Sequence, residues 1–538
     1  MNGRCSWIAA VLLLVAAVPA RAADPVEARL SAKEEKLEQL YAEYWRTDYR
    51  IALGETKLST LPLKKRIRAL VSDPVFFRQL QAAKFPDPVL ARRRQLFLRE
   101  AIYTNIFADP QLAALVEGIE RDEDAIRYRV GSKRMTRAEL NNTLAHSPDR
   151  ELRRQCWEAR SQITALTGRR IQRAMRMRIA LARRHAGRPF PEFMLEYKGI
   201  GSQKALLDSF EQIRAETEKP YRELLERVRT ELKVEQVEPW DLDYFFSTLT
   251  GDFEQKLFVP QQTWPQIKQV AASLGYDFDR LPVDVKIADI TFGGGTYPIL
   301  YGKEVKILVN KYTGLRFTDT LLHEAGHGLH YSFIGAPAAP GSGAVGPSNE
   351  PSFILRGTYA EPFDEGLGQV MALMLYRSEV STRYFGLSPE QARLVEERYR
   401  LKDLLDLRDT IADSVFEFEA YANPDQDLDA LYNRIYSRYL GVDLHGTRTW
   451  AFDPFYSTGP IYLQSYVLAE MVGWQVHHAL DQKFGRNWDA RTGAYLREKF
   501  FSRGGLLTLD QIMQEGAGEP LNPKYMIESL RPPEQEKK

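Results

Sequence analysis

The chain has 538 residues, with 73 Lys+Arg against 72 Asp+Glu, for a formal net charge of +1. A hydrophobic fraction of 44% and a charged fraction of 27% are those of a globular protein; they exclude a disordered, collagen-like or coiled-coil chain. Near-neutrality argues against recognition of nucleic acid or an anionic membrane through bulk charge.

Residues 1–22 read MNGRCSWIAAVLLLVAAVPARA. Arg4 supplies a positive start, Ile8–Val18 is an apolar run, and Ala20-Arg21-Ala22 is a small-x-small cleavage pattern. This is the pattern of a cleaved secretory signal and predicts an exported protein, periplasmic or secreted. The run is shorter than the about 20 residues that a bilayer-spanning helix needs, and no later segment predicts a membrane span. After cleavage only Cys156 remains, so no intramolecular disulfide is expected.

Residues 23–538 read as one mostly helical body, with 23–260 as its N-terminal part and 280–480 as the part that carries chemistry. In Lys33–Tyr49, Leu37, Leu40, Tyr41, Tyr44, Trp45 and Tyr49 recur at helical spacing. Similar patterns predict helices over 63–82, 90–130, 137–186, 204–233, 262–274, 388–422, 427–440, 460–483 and 508–514. The stretch Arg169–Arg188 holds eight arginines. Apolar residues interleave with them as a helix face, which predicts a structural or cleft-lining helix rather than a nucleic-acid site. Val285–Phe292, Tyr297–Tyr301 and Val305–Asn310 are short, rich in β-branched residues and separated by glycines. They predict a small antiparallel sheet. Gly335–Glu350 (GAPAAPGSGAVGPSNE) predicts a surface loop, either a lid or an insertion.

Residues 321–330 read LLHEAGHGLH. His323 and His327 stand one helical turn apart, so both imidazoles can reach one ion, while Glu324 is rotated aside as a base. Thr318 and Asp319 are placed to cap this helix, and Asp319, with His330 and Gln369, is expected to support the ligands from behind. Gly326 and Gly328 each cost about 1 kcal/mol of helix propensity relative to Ala, which points to close approach by other backbone or a ligand. A catalytic zinc takes three protein ligands and keeps one position open. His330 lies about 10 Å along the axis from His323, too far to share the ion, and is expected to line the cleft or support a ligand. The third ligand is expected in EPFDEGLGQVMALML (361–375). Glu365 sits in an apolar helix where a carboxylate is costly unless bound or paired; Glu361 and Asp364 are its rivals. Gln369, one turn on, is placed to hydrogen-bond a ligand.

At these residues the chain resembles the gluzincin peptidases of the thimet oligopeptidase and oligoendopeptidase F family, and the related angiotensin-converting enzymes. LLHEAGHGLH, PFDEGLGQ, Phe416–Gly441 and WAFDPFYSTGPIYLQSY (Trp450–Tyr466) carry the resemblance. It implies a helical bilobed body with a deep central cleft, one Zn2+ per chain, and hydrolysis of internal bonds of peptide substrates. It further implies that Tyr466 stabilises the oxyanion, with Tyr462 one turn earlier. An edge strand at Tyr297, Pro298, Ile299 and Leu300 would pair with the substrate backbone. The family's histidine before the tyrosines is missing here, where the chain has Asp453-Pro454-Phe455-Tyr456. The alternatives are a dipeptidyl carboxypeptidase of converting-enzyme type and a non-catalytic peptide-binding relative.

Overall fold

Aspartate-proline pairs divide the N-terminal half into separate helices. Asp73, Asp87 and Asp109 each accept backbone N–H bonds ahead of a proline at the first helical position, starting Pro74–Ala82, Pro88–Phe107 and Pro110–Ala125. The expected runs 63–82 and 90–130 are therefore broken at these caps. The second also ends early, at Ala125, and is followed by a hairpin of β1 (Tyr128–Val130) and β2 (Lys133–Met135). The expected run 137–186 likewise resolves into Arg137–His146, Arg150–Ala159 and Ser161–His185. This computed structural model describes residues 25–532 apart from 56, 250–252, 291, 312–313, 335–351 and 358–359. The signal-like segment 1–22 and the Gly335–Glu350 loop lie outside the described residues. Of the described residues 72% are helical, and no helix among them is long and apolar enough to cross a membrane.

The second sheet holds β3 (Val283–Ala288), β4 (Gly294–Leu300) and β5 (Glu304–Asn310) in the order β3-β5-β4. β4 pairs antiparallel with β5 across the turn at Gly302, whose φ is +71°. β3 pairs parallel with β5, from Val283 opposite Val305 to Ala288 opposite Asn310. The sheet is thus mixed, not antiparallel as expected. The physical reason is that β5 takes the centre: Val305, Ile307, Leu308 and Val309 are all buried, so this strand needs a neighbour on each side.

Two large apolar cores hold most of the buried residues. One joins the helices of 106–246 to those of 401–471; the other joins 258–395 to 472–513. Helix Leu463–Phe484 belongs to both, with Val467, Leu468 and Met471 in the first core and Val472, Val476 and Leu480 in the second. Helices Leu315–Phe333 and Glu361–Ala372 lie in the second core and pack against it. The arginines of Ser161–His185 are engaged structurally. Arg170 pairs with Asp122 and Arg176 with Asp425, and buried Arg178 donates to the Tyr456 carbonyl.

Candidate metal centre

Helix Leu315–Phe333 begins at Gly314, whose φ of +89° a side chain would strain. The cap therefore lies a turn before the expected Thr318-Asp319. Thr318 is fully buried, and the Asp319 carboxylate accepts the Tyr376 hydroxyl at 2.9 Å. Glycines bring three helices into contact. A Cβ on Gly326 would stand 2.5 Å from the Leu367 carbonyl oxygen, and one on Gly368 would stand 2.6 Å from the His323 ring. A Cβ on Gly366 would stand 2.5 Å from Val472. The helix-propensity cost at Gly326 is thus tied to backbone contact with the helix that carries Glu365.

That contact brings the three expected ligands together. His323 Nε2 lies 3.1 Å from His327 Nε2 and 3.3 Å from Glu365 Oε2, and His327 Nε2 lies 3.9 Å from the same oxygen. Among the described residues this is the one cluster of His, Cys, Asp or Glu with metal-ligand spacing. Three ligands bonded at about 2.0–2.1 Å to one tetrahedral ion stand roughly 3.3–3.4 Å apart, so the donor set fits a divalent ion such as zinc. The protonation balance agrees. Burial alone would push the His327 imidazole down, but Asp364, Glu365 and Glu324 outweigh it and raise it to about 10. Burial would raise Asp364, yet the His327 cation brings it down to about 2, and Glu365 is lowered for a like reason. The pocket favours positive charge.

The rivals of Glu365 have other partners. Asp364 Oδ1 faces His327 Nδ1 at 3.2 Å, and Tyr331 donates to Asp364 Oδ2 at 2.5 Å. This orients the imidazole and leaves Nε2 for an ion. Glu361 accepts from Lys198 Nζ and from the Ser465 hydroxyl. His330 is fully buried, with Nδ1 2.9 Å from the Phe501 carbonyl and Nε2 4.0 Å from Asp364 Oδ1. It stands behind the ligands. Gln369 does not bond a ligand, contrary to expectation. Its amide donates to the Tyr399 hydroxyl at 3.0 Å, because its position on the helix turns it toward the long helix Pro389–Ala422.

Glu324 is buried beside the histidines, and its Oε2 accepts the Thr296 hydroxyl at 2.7 Å. β4 therefore passes the base through Gly294–Thr296, and Gly294 leaves no room for a side chain: its Cβ would stand 2.9 Å from Thr320 and 3.2 Å from Glu324. The expected substrate edge at Tyr297–Leu300 lies in the second half of β4. Tyr297, Pro298 and Ile299 are buried, and Tyr297 and Ile299 pack with Ala42, Trp45 and Tyr49 of the first helix, Pro25–Ala52. The half of β4 that faces the metal corner is the glycine half.

Tyr462 donates to Glu365 Oε1 at 2.5 Å. Tyr466, 5.3 Å away between ring centres, is 37% exposed, one of the few large exposed side chains that are apolar or aromatic. Phe455 stacks on Tyr462 at 5.0 Å and meets Tyr466 edge-on at 6.0 Å, in the segment where the resembled pattern has its histidine. His445, the nearest upstream histidine, is at the surface on Glu238. Thr296, Tyr331 and Lys198 are not legible in the sequence as site residues. Only Tyr331, one turn after His327 on the same face, leaves a signal there.

No protein-family model and no curated protein sequence matches the chain. Solved structures do. The M32 carboxypeptidase from Deinococcus radiodurans R1 superposes with a TM-score of 0.64 at 16% identity, over 94% of this chain and 98% of that one. A putative oligoendopeptidase F matches with a TM-score of 0.63 at 18% identity, over 94% of each chain. PZ peptidase A, solved with an inhibitor, matches with a TM-score of 0.65 at 17% identity, over 88% of this chain and 84% of that one. The chain thus has the helical fold shared by these peptidases, over nearly its whole length.

Proposed function

We propose that this protein is an exported zinc metallopeptidase that hydrolyses internal bonds of oligopeptides. The observation that carries the reading is the His323–His327–Glu365 corner with Glu324 beside it. A bound zinc ion supplies Lewis-acid polarisation of a peptide carbonyl and acidifies water toward a pKa of about 7. Glu324 takes a proton from the attacking water and returns it to the leaving amine. The Thr296 hydrogen bond occupies Oε2 and leaves Oε1 for that transfer. Tyr466 donates to the developing oxyanion. Tyr462 is committed to Glu365 and acts by holding that ligand. An extended substrate would lie along the outer edge of β4 at Gly293–Thr296, with main-chain pairing that tolerates varied side chains. Export rests on the pattern in residues 1–22.

The test is peptide cleavage by the metal-loaded protein before and after chelation, with products read by mass spectrometry. Internal cuts that stop on chelation and return with zinc support the reading; cleavage indifferent to chelation overturns it. A second reading, removal of residues from the peptide C-terminus, is favoured by the likeness to the carboxypeptidase across almost both chains. A ladder of C-terminally shortened products would select it.

A further inference from the structure

Ile461 is a fully buried β-branched residue with φ of +55°, in the left-handed region. Such a residue leaves that conformation unless its surroundings hold it there. It immediately precedes Tyr462, the first residue to turn into helix Leu463–Phe484. The Ile461 N–H donates to both oxygens of Glu417, at 2.9 and 3.0 Å, and Gln464 donates to the Ile461 carbonyl at 2.6 Å. Glu417 is itself buried, in helix Pro389–Ala422. The residues before the turn are also tied. Arg178 donates to the Tyr456 carbonyl, the Tyr456 hydroxyl donates to Asp413, and the Ser457 hydroxyl donates to Glu123.

We propose that Glu417 is a positioning residue for the tyrosine wall: its carboxyl holds Ile461 in the left-handed turn that aims Tyr462 at Glu365 and sets Tyr466 at the mouth of the site. Without that acceptor the Ile461 N–H is buried and unpaired, and the turn relaxes to negative φ. The start of the next helix then rotates, and the Tyr462 hydroxyl leaves Glu365 Oε1. Glycine occupies the left-handed region freely, so replacing Ile461 with glycine removes the strain that Glu417 opposes. The inference deepens the peptidase reading and rests on it for the kinetic readout.

The experiment compares the full-length zinc-loaded protein with Glu417→Leu, Glu417→Gln and Glu417→Leu/Ile461→Gly, reading peptide kcat and KM and zinc affinity by chelator competition. Glu417→Leu is expected to lose on the order of 10²-fold in kcat, the scale of a misplaced catalytic group, with KM little changed. Its zinc affinity should fall about 10-fold, as for loss of a ligand's hydrogen-bond partner. Glu417→Gln keeps an acceptor oxygen and should retain most of both. Adding Ile461→Gly to Glu417→Leu should recover part of both. Unchanged kcat and zinc affinity in Glu417→Leu, or losses that Ile461→Gly leaves untouched, overturn the inference. If Glu417→Leu does not fold, Glu417→Asp withdraws the carboxyl by one methylene, and wild-type behaviour in that variant overturns it equally. A wild-type protein that binds zinc but cleaves no peptide sinks the peptidase reading alone, and the zinc affinities still decide the role of Glu417.

Discussion

His323 and His327 point the same way because they are four residues apart on one helix, and Glu365 meets them because glycines let a second helix come close. Tyr462 and Tyr466 follow a turn fastened by residues 44 to 334 positions away in sequence. The first region is built by local periodicity and one backbone contact, the second by a scaffold drawn from distant helices of the first core. Damage to the two should therefore look different. Changes in the metal corner are expected to act mainly on ion binding or proton transfer, and changes behind the tyrosines mainly on turnover, with a smaller loss of ion affinity.

Four variants sharpen or break that contrast. The largest effect is expected for Glu324→Gln, which should retain zinc by metal analysis yet lose on the order of 10²–10⁴-fold in kcat, because the general base is gone while the ligands remain. Loss of the ion as well would mean that Glu324 is a ligand. Next is Tyr466→Phe, expected to cost roughly 10²–10³-fold in kcat with little change in zinc affinity, as for removal of one oxyanion donor. An unaltered kcat would move that role elsewhere, with Tyr462 the next candidate. Asp364→Asn should weaken zinc binding by about 10–100-fold, since a neutral amide orients the His327 ring less well; equilibrium dialysis against a chelator reads it. The smallest effect is on stability. Gly326→Ala puts a methyl 2.5 Å from the Leu367 carbonyl and should cost about 1–3 kcal/mol by forcing the two helices apart. Denaturant unfolding measures it, and a neutral result would mean that the helices separate freely.

The same contrast separates what is legible in the amino-acid sequence from what is not. The pair His323 and His327, with Glu324 between them, lies within five residues and obeys one period. Glu365 follows from a carboxylate stranded on an apolar helix. The tyrosines are reached through resemblance, because a spacing of four among so many tyrosines says little alone. Contacts between distant segments leave no local trace: Thr296 on Glu324, Lys198 on Glu361, and Glu417 on Ile461. Gln369 shows the same limit from the other side. Its place on the helix follows from periodicity, but its partner, Tyr399, comes from another helix. Strand β4 is legible too, yet which half of it faces the base depends on where helix Pro25–Ala52 packs. The parallel pairing of β3 with β5 depends on β5 being central, which no local pattern states.

The central claim is that His323, His327 and Glu365 together bind one divalent ion. It is tested most directly by elemental analysis of the purified wild-type protein beside Glu365→Ala, each dialysed against the same zinc buffer. One zinc per chain in the wild type and a large loss in the variant are the predicted result. A wild type without bound metal, or a Glu365→Ala protein that keeps its full complement, would contradict it.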